Sequence, residues 1–125
     1  MTTYNPDKWV VVKIDGIGGP VISNGHPPIY KVFACWYGGY AGSDSWKLNS
    51  GIISVSREGN IYSFEGSSGS TYKCHTDCYG TYLYGSRVLG NMIDTSGKNG
   101  VDMKILPEDT DWETIDFDRL VLNPI

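Results

Sequence analysis

The sequence has few of the residues on which catalytic and metal sites usually depend. It contains two histidines and three cysteines, and no apolar run approaches the ~20 residues that cross a bilayer. The N-terminus has neither the basic nor the apolar stretch of a secretory signal. An odd number of cysteines favours reduced thiols over a disulfide framework. We therefore expect a soluble, cytoplasmic protein without a membrane partner.

Strong positive charge is also absent. The formal net charge is −4, and six of the 14 acids lie between Glu108 and Asp118. Outside that segment and the adjoining Arg119, nine bases and eight acids remain, so the body of the chain is close to neutral. Binding to duplex nucleic acid needs a basic face with several phosphate contacts, so a near-neutral body argues against such a partner. A small phosphorylated ligand held by one or two bases stays compatible with this charge.

No motif specifies a reaction or a cofactor. Cys74, His75 and Cys78 form a cluster of metal-ligand residue types, but structural zinc sites usually pair two such knuckles. On a strand, Cys74 and His75 would also point to opposite faces. Ser45, Asp44 and His75 could be drawn as a catalytic triad, yet no G-x-S-x-G elbow accompanies them. We expect no metal, no cofactor and no catalytic residue, and the sequence favours a non-catalytic protein.

The pattern along the chain predicts one domain over residues 1–125, of the α+β class. Short β-branched or alternating runs separated by Gly, Asn and Ser are typical of antiparallel strands. They predict a mostly antiparallel β meander or a small, partly open barrel, with one or two short C-terminal helices. The predicted strands are 8–14, 29–37, 46–56, 61–65, 71–75 and 101–106.

Two segments carry helix signals. Ser86 can cap a segment in which Val88, Leu89, Met92 and Ile93 share one face, and Gly97 can end it. Further on, Thr110 and Glu113 have capping-box spacing ahead of Trp112. Acids near a helix start are favoured by the helix dipole. The acidic segment is therefore explained by a second helix as well as by a charge-guided partner site.

The segment 33–53 combines aromatic rings, glycines and short polar side chains. Glycine leaves backbone N–H groups uncovered, and flat rings can stack on a planar ligand. Lysine or arginine beside such rings can pair with phosphate. The same aromatics would also suit the core of a small β domain, so both roles stay open. The predicted ligand-binding residues are Trp36, Tyr37, Gly38, Gly39, Tyr40, Ser43, Asp44, Ser45, Trp46, Lys47, Asn49, Lys73, His75 and Arg87.

Five blocks of the sequence carry a resemblance to a known group of proteins. They are KWVVVKI at 8–14, YKVFACWYGGY at 30–40, SDSWKLNSGI at 43–52, EGSSGSTYKCH at 65–75 and LPEDTDW at 106–112. Together they resemble a family of short, uncharacterised proteins of tailed phages, notably marine myoviruses. The resemblance implies a phage origin and the cytoplasm of an infected bacterium, and it implies no active site.

These observations favour a binding protein over an enzyme. The leading hypothesis is a non-catalytic phage accessory protein that sequesters a nucleotide-type immune signal of the host. One alternative is a protein-interaction or minor virion protein, because Trp and Tyr are enriched at interface hot spots. The other is an enzyme that degrades a nucleotide with His75 as acid or base. An edge strand with exposed aromatics also suits a homo-oligomer.

Overall fold

The computed structural model describes residues 2–15, 28–38 and 44–115. Within these ranges the chain forms eight β-strands, one α-helix and two short 3-10 turns. The strands are β1 Thr3–Tyr4, β2 Lys8–Asp15, β3 Ile29–Trp36, β4 Ser45–Leu48, β5 Ile52–Glu58, β6 Ile61–Gly66, β7 Thr71–His75 and β8 Asp102–Ile105, and the helix α1 is Leu83–Lys98.

The strands form two four-stranded sheets. Sheet I has the order β1-β7-β6-β5, and sheet II has the order β4-β3-β2-β8. Neighbouring strands run antiparallel, apart from the parallel pair of β1 and β7. The α+β class with mostly antiparallel strands is thus confirmed, and the described strands do not close into a barrel.

Sheet II lies between sheet I and helix α1, and the sequence of β2 explains why. Successive side chains of a strand point to opposite faces. Trp9 and Val11 belong to the core shared with sheet I, whereas Val10 and Val12 belong to the core beneath the helix. Because both faces are apolar, this strand is buried on both sides. The residues 8–14 and 29–37 were correctly predicted as strands for this reason.

The predicted strand 46–56 is two strands that belong to different sheets. The chain leaves sheet II after Leu48 and enters sheet I at Ile52. Gly51 lies between them with a φ of 138°, a conformation that side-chain-bearing residues rarely adopt. The predicted strand runs through Asn49, Ser50 and Gly51, which are turn-forming residue types, and the backbone turns from one layer to the other at this glycine.

Helix α1 begins at Leu83, four residues earlier than a cap at Ser86 predicts. Tyr82 is the N-cap residue and makes no side-chain capping bond, while the Ser86 hydroxyl bonds to that of Thr81. The helix ends at Lys98, one residue beyond the predicted Gly97. The apolar face that was predicted is confirmed, because Leu89 is buried against sheet II with Val88, Met92 and Ile93 packed around it.

The prediction of a capping box at Thr110 and Glu113 is wrong. The Thr110 hydroxyl donates to the Pro107 carbonyl at 2.7 Å, and Asp111 accepts the Glu113 N–H at 3.2 Å. A single 3-10 turn, Trp112–Thr114, follows. Its tryptophan is buried in the core between the sheets, so burial of one large ring fixes this turn.

Candidate functional site

Trp36 and Trp46, the two tryptophans of the predicted site, lie on opposite faces of sheet II. In the pairing of β3 with β4, Trp36 is opposite Ser45 and Cys35 is opposite Trp46. Paired residues share a face of a sheet, and neighbours in sequence do not. Trp36 therefore packs on the core shared with sheet I, and Trp46 faces the helix side. One ligand ring cannot be held between these two indoles.

Trp36 belongs to a packed corner of the sheets. Its Nε1–H donates to the carbonyl of Asn5 at 3.0 Å, and its ring meets that of Tyr4 edge-on with centroids 6.1 Å apart. Lys47, also on this face, holds its Nζ 5.3 Å from the centre of the Tyr4 ring. Both predicted site residues thus contact a tyrosine of β1 that the sequence did not single out.

The backbone N–H groups near the predicted glycines already have acceptors. The N–H of Tyr37 donates to Asp7 at 2.9 Å, and that of Gly38 donates to Asp44 at 3.1 Å. The Tyr37 ring stacks on Tyr82 with centroids 4.2 Å apart. These groups hold the end of β3 in place. Three further predicted site residues, Gly39, Tyr40 and Ser43, lie outside the described residues.

Asn49 is buried, with only 3% of its surface exposed. Its Oδ1 accepts the N–H of Val32 at 2.9 Å, and its own N–H donates to the Val32 carbonyl at 3.0 Å. The side chain thus continues the hydrogen bonding of β3 beyond the end of β4. Its Nδ2 has no hydrogen-bond partner among the described residues, but it is buried, so a ligand has no access to it.

The predicted basic residues do not meet at one place. Lys73 and His75 are exposed, and they alternate along β7 with Tyr72 and Cys74, which are buried in the core. They therefore lie on the outer face of sheet I, with both sheets between them and Trp46. Ser45 is exposed on the edge strand β4. In the described ranges, no three His, Cys, Asp or Glu side chains are placed to share a metal ion.

Trp46 lines an open groove of about 670 Å³ between helix α1 and sheet II. Phe33 stacks on its indole with centroids 5.6 Å apart and planes 21° apart. The tryptophan nevertheless keeps 37% of its surface exposed, so a ligand ring has access to it. The groove is lined by Ile14, Trp46, Leu48, Val88, Asn91, Met92, Thr95, Ser96, Asn99, Val101 and Met103.

The helix wall of this groove has two parallel stripes. Val88 and Met92, four residues apart, form an apolar stripe. Asn91 and Thr95, with the C-cap residue Asn99 just after the helix, repeat the same spacing as a polar stripe. The side chains that line the groove from the described residues carry no charge. An apolar floor with a few amides and hydroxyls along one edge is the usual composition of a small-molecule site.

Arg87 lies one helical turn before Asn91, on the same side of the helix. Its side chain is exposed and forms no ion pair with the residues that the structure describes. It can therefore turn toward a negatively charged group that leaves the groove at this end. Among the predicted site residues, the structure thus gathers Trp46 and Arg87 on one side of sheet II.

Sequence reasoning missed the polar stripe. Asn91, Thr95 and Asn99 appear in the sequence as ordinary exposed helix residues, without an aromatic or a charge to mark them. Their spacing of four is the signal that could have identified them, once the helix itself was predicted.

The start of helix α1 exposes a second kind of surface. Leu83 has 87% of its surface exposed, and the flanking Tyr82 and Tyr84 are also exposed. Three consecutive exposed apolar residues are unusual on a monomer and are typical of a contact with another molecule.

No family model, curated protein or solved structure matches this chain. In the described part of the chain, no helix has the length and apolar character needed to span a membrane.

Proposed function

We propose that this chain is a non-catalytic phage accessory protein that binds a nucleotide-type ligand in the Trp46 groove. The ligand class is a signal molecule of the host's immune response, which the protein would sequester in the cytoplasm of the infected bacterium. The single observation that carries the binding role is the accessible Trp46 indole at the wall of an uncharged groove of about 670 Å³. The phage setting is supported by the sequence resemblance alone.

The base and the phosphate of a nucleotide each have a suitable partner in or beside the groove. A base has a flat apolar face for Trp46, and stacking on an aromatic side chain contributes ~1–3 kcal/mol. The polar edge of the base needs donors and acceptors, which the amides and hydroxyls of Asn91 and Thr95 supply. A phosphate would reach Arg87, because a guanidinium forms paired, charge-assisted hydrogen bonds with phosphate oxygens.

Binding without turnover is supported by the residue types around the groove. Its lining, as far as the chain is described, contains no histidine, carboxylate or thiol to move a proton or attack a bond. His75, the acid or base of the enzymatic alternative, lies on the outer face of sheet I. We therefore favour capture of an intact ligand over its degradation.

The test is a measurement of thermal stability with cyclic nucleotides, mononucleotides and ADP-ribose derivatives. A ligand at 100 times its dissociation constant should stabilise the fold by about 2.7 kcal/mol. Trp46→Ala should abolish the shift, whereas Trp36→Ala, on the other face, should keep it. Mass spectrometry of the recovered ligand should show it unchanged. No shift with any compound would remove the nucleotide function, and recovery of a cleaved product would favour the enzyme.

A protein-interaction role is the second candidate, supported by the exposed Tyr82, Leu83 and Tyr84. Aromatic and apolar residues at a protein surface are enriched in interface hot spots. Tagged protein should then co-purify with one host or phage protein, and Leu83→Asp should break the contact while leaving nucleotide binding unchanged. Equal recovery of the partner with Leu83→Asp would contradict this role for the surface.

A further inference from the structure

A second cavity, of about 440 Å³, lies beside β2, where sheet I meets the turn before Trp112. Its composition differs from that of the Trp46 groove, because it combines aromatic rings with charges of both signs. None of its residues takes part in the function proposed above. It is lined by Trp9, Arg57, Tyr62, Thr76, Tyr79, Glu108, Asp109 and Trp112.

The aromatic wall of this cavity is firmly held. Tyr79 meets Trp9 at a right angle with centroids 4.7 Å apart. Its hydroxyl donates to the carbonyl of Leu106 at 2.6 Å and accepts the N–H of Val11 at 3.1 Å. Trp9 and Trp112 are almost fully buried, so Tyr79, which is half-buried, is the accessible one of these three rings. A wall whose rings are fixed by packing and by hydrogen bonds binds an apolar group without a large ordering cost.

Arg57 supplies positive charge in a fixed position. Its Nε donates to the carbonyl of Gly59 at 2.9 Å, and its Nη1 donates to the Tyr62 hydroxyl at 3.2 Å. The guanidinium lies over the Tyr62 ring, 5.1 Å from the ring centre. These bonds use two of its five N–H donors, so the others are left for an acceptor in the cavity.

Glu108 and Asp109 supply negative charge to the same cavity from an exposed turn. Neither carboxylate comes within 4.0 Å of Arg57, since the ion pairs formed among the described residues are those of Lys13 with Asp15 and of Lys104 with Asp102. Opposite charges that line one cavity without touching leave room for a ligand that bridges them.

We propose that this cavity binds a small zwitterion, a free α-amino acid with an apolar or aromatic side chain. Its carboxylate pairs with Arg57, and its ammonium pairs with Glu108 and Asp109. The side chain packs against the half-buried ring of Tyr79. The cavity volume lies within the ~300–1,000 Å³ range that is usual for small-molecule sites. A ligand with only one of the two charges would leave one side of the site unpaired.

The test is calorimetric titration of the full chain with the standard L-amino acids, followed by derivatives of the tightest binder. The N-acetyl form lacks the ammonium, and the amide form lacks the carboxylate. Each block should weaken binding by about 10- to 100-fold, the equivalent of one lost charge-assisted hydrogen bond. Equal affinity for the parent and both derivatives, or no heat with any amino acid, would overturn the proposal.

Two variants assign each charge to its partner. Arg57→Gln should weaken binding of the parent amino acid but leave binding of its amide unchanged. Glu108→Gln should weaken binding of the parent but leave binding of its N-acetyl form unchanged. Lys73→Gln and Glu65→Gln, exposed on sheet I and outside the cavity lining, serve as charge-matched controls and should change nothing. Because the derivative experiment uses the unaltered protein, it stays decisive if a variant folds poorly. Loss of all binding in Lys73→Gln would place the site elsewhere.

Discussion

Gly85 of helix α1 faces Cys35 of β3 so closely that a Cβ atom added at this glycine would lie 2.6 Å from the Cys35 Sγ. Real Cβ atoms essentially never come so near another heavy atom. This contact sets how closely the first turns of the helix approach sheet II. The same approach positions Val88 and Asn91 at the wall of the Trp46 groove.

The variant Gly85→Ala should therefore destabilise the protein by about 1–3 kcal/mol, the usual cost of overfilling a packed core. Gly90, in the same helix, is the matched control, because a Cβ atom there meets nothing within 4 Å. Gly90→Ala should stabilise the fold by roughly 0.5–1 kcal/mol, since alanine suits a helix interior better than glycine. Urea unfolding measures both changes. In a Cys35→Ala background Gly85→Ala should cost less, and an undiminished cost would contradict the contact.

Asn49→Ala should cost about 1–3 kcal/mol of stability, because it removes the acceptor of the buried Val32 N–H. Asn91→Ala, on the exposed side of the helix, should change stability by less than about 0.5 kcal/mol. Hydrogen exchange gives a direct readout, since the amide of Val32 should exchange faster in Asn49→Ala. An unchanged exchange rate at this amide would contradict the hydrogen bond from the Val32 N–H to the Asn49 side chain.

Arg87→Ala should weaken binding of a nucleotide by about tenfold, because it removes a charge-assisted hydrogen bond to phosphate at an exposed site. The corresponding nucleoside, which has no phosphate, should bind both proteins equally. Lys98→Ala, in the last turn of the same helix, is the control for a simple loss of positive charge. Titration calorimetry with the nucleotide and the nucleoside separates these effects. An equal loss for both compounds would argue against a phosphate at Arg87.

The stability of the fold should fall as the pH rises from about 10 to about 12. Burial raises the pKa of Tyr79 from its ordinary value of 10.0 to about 12; the hydrogen bond from Val11 opposes the rise and the charge of Glu108 adds to it. The unfolded chain then loses this proton near pH 10, while the folded chain keeps it to about pH 12. Stability from the neutral hydroxyl is thus complete below pH 10 and is lost through this window.

Tyr79→Phe separates the contribution of Tyr79 from those of other groups that lose a proton at alkaline pH. Burial likewise raises the pKa of Cys35 to about 11, with the charge of Asp44 adding to the rise, and that group is present in both proteins. The variant should be less stable at neutral pH, because the hydrogen bonds to Val11 and Leu106 are lost. Its further loss of stability between pH 10 and pH 12 should be smaller than that of the unaltered protein. Parallel pH curves would contradict the role assigned to the hydroxyl.

The sheet positions that bury one or both faces could be predicted from the sequence. Residues 8–14 and 29–37 carry apolar side chains at adjacent as well as alternating positions. Apolar residues at alternating positions bury one face of a strand, and apolar residues at adjacent positions bury both. The helix face of Val88, Leu89, Met92 and Ile93 follows from the spacing of three and four. The turn at Gly51 was missed, although Asn49, Ser50 and Gly51 are turn-forming residue types between the two strands.

The candidate site was predictable only in part, and the reason is geometric. Trp36 and Trp46 are close in sequence, but their faces depend on how β4 pairs with β3. A shift of one residue in that pairing would exchange the faces, and nothing in the composition of the segment specifies it. The polar stripe of helix α1 was missed because its role appears only when sheet II lies opposite.

The most direct measurement of the ligand's position is an NMR titration that follows the indole N–H signals of the four tryptophans. Trp46→Phe and Trp36→Phe variants assign the two signals that matter. A bound nucleotide should shift the Trp46 signal strongly. The signals of Trp9 and Trp36, whose indoles donate to the carbonyls of His75 and Asn5, should stay in place. A shift confined to Trp36, with Trp46 unchanged, would contradict binding in the groove.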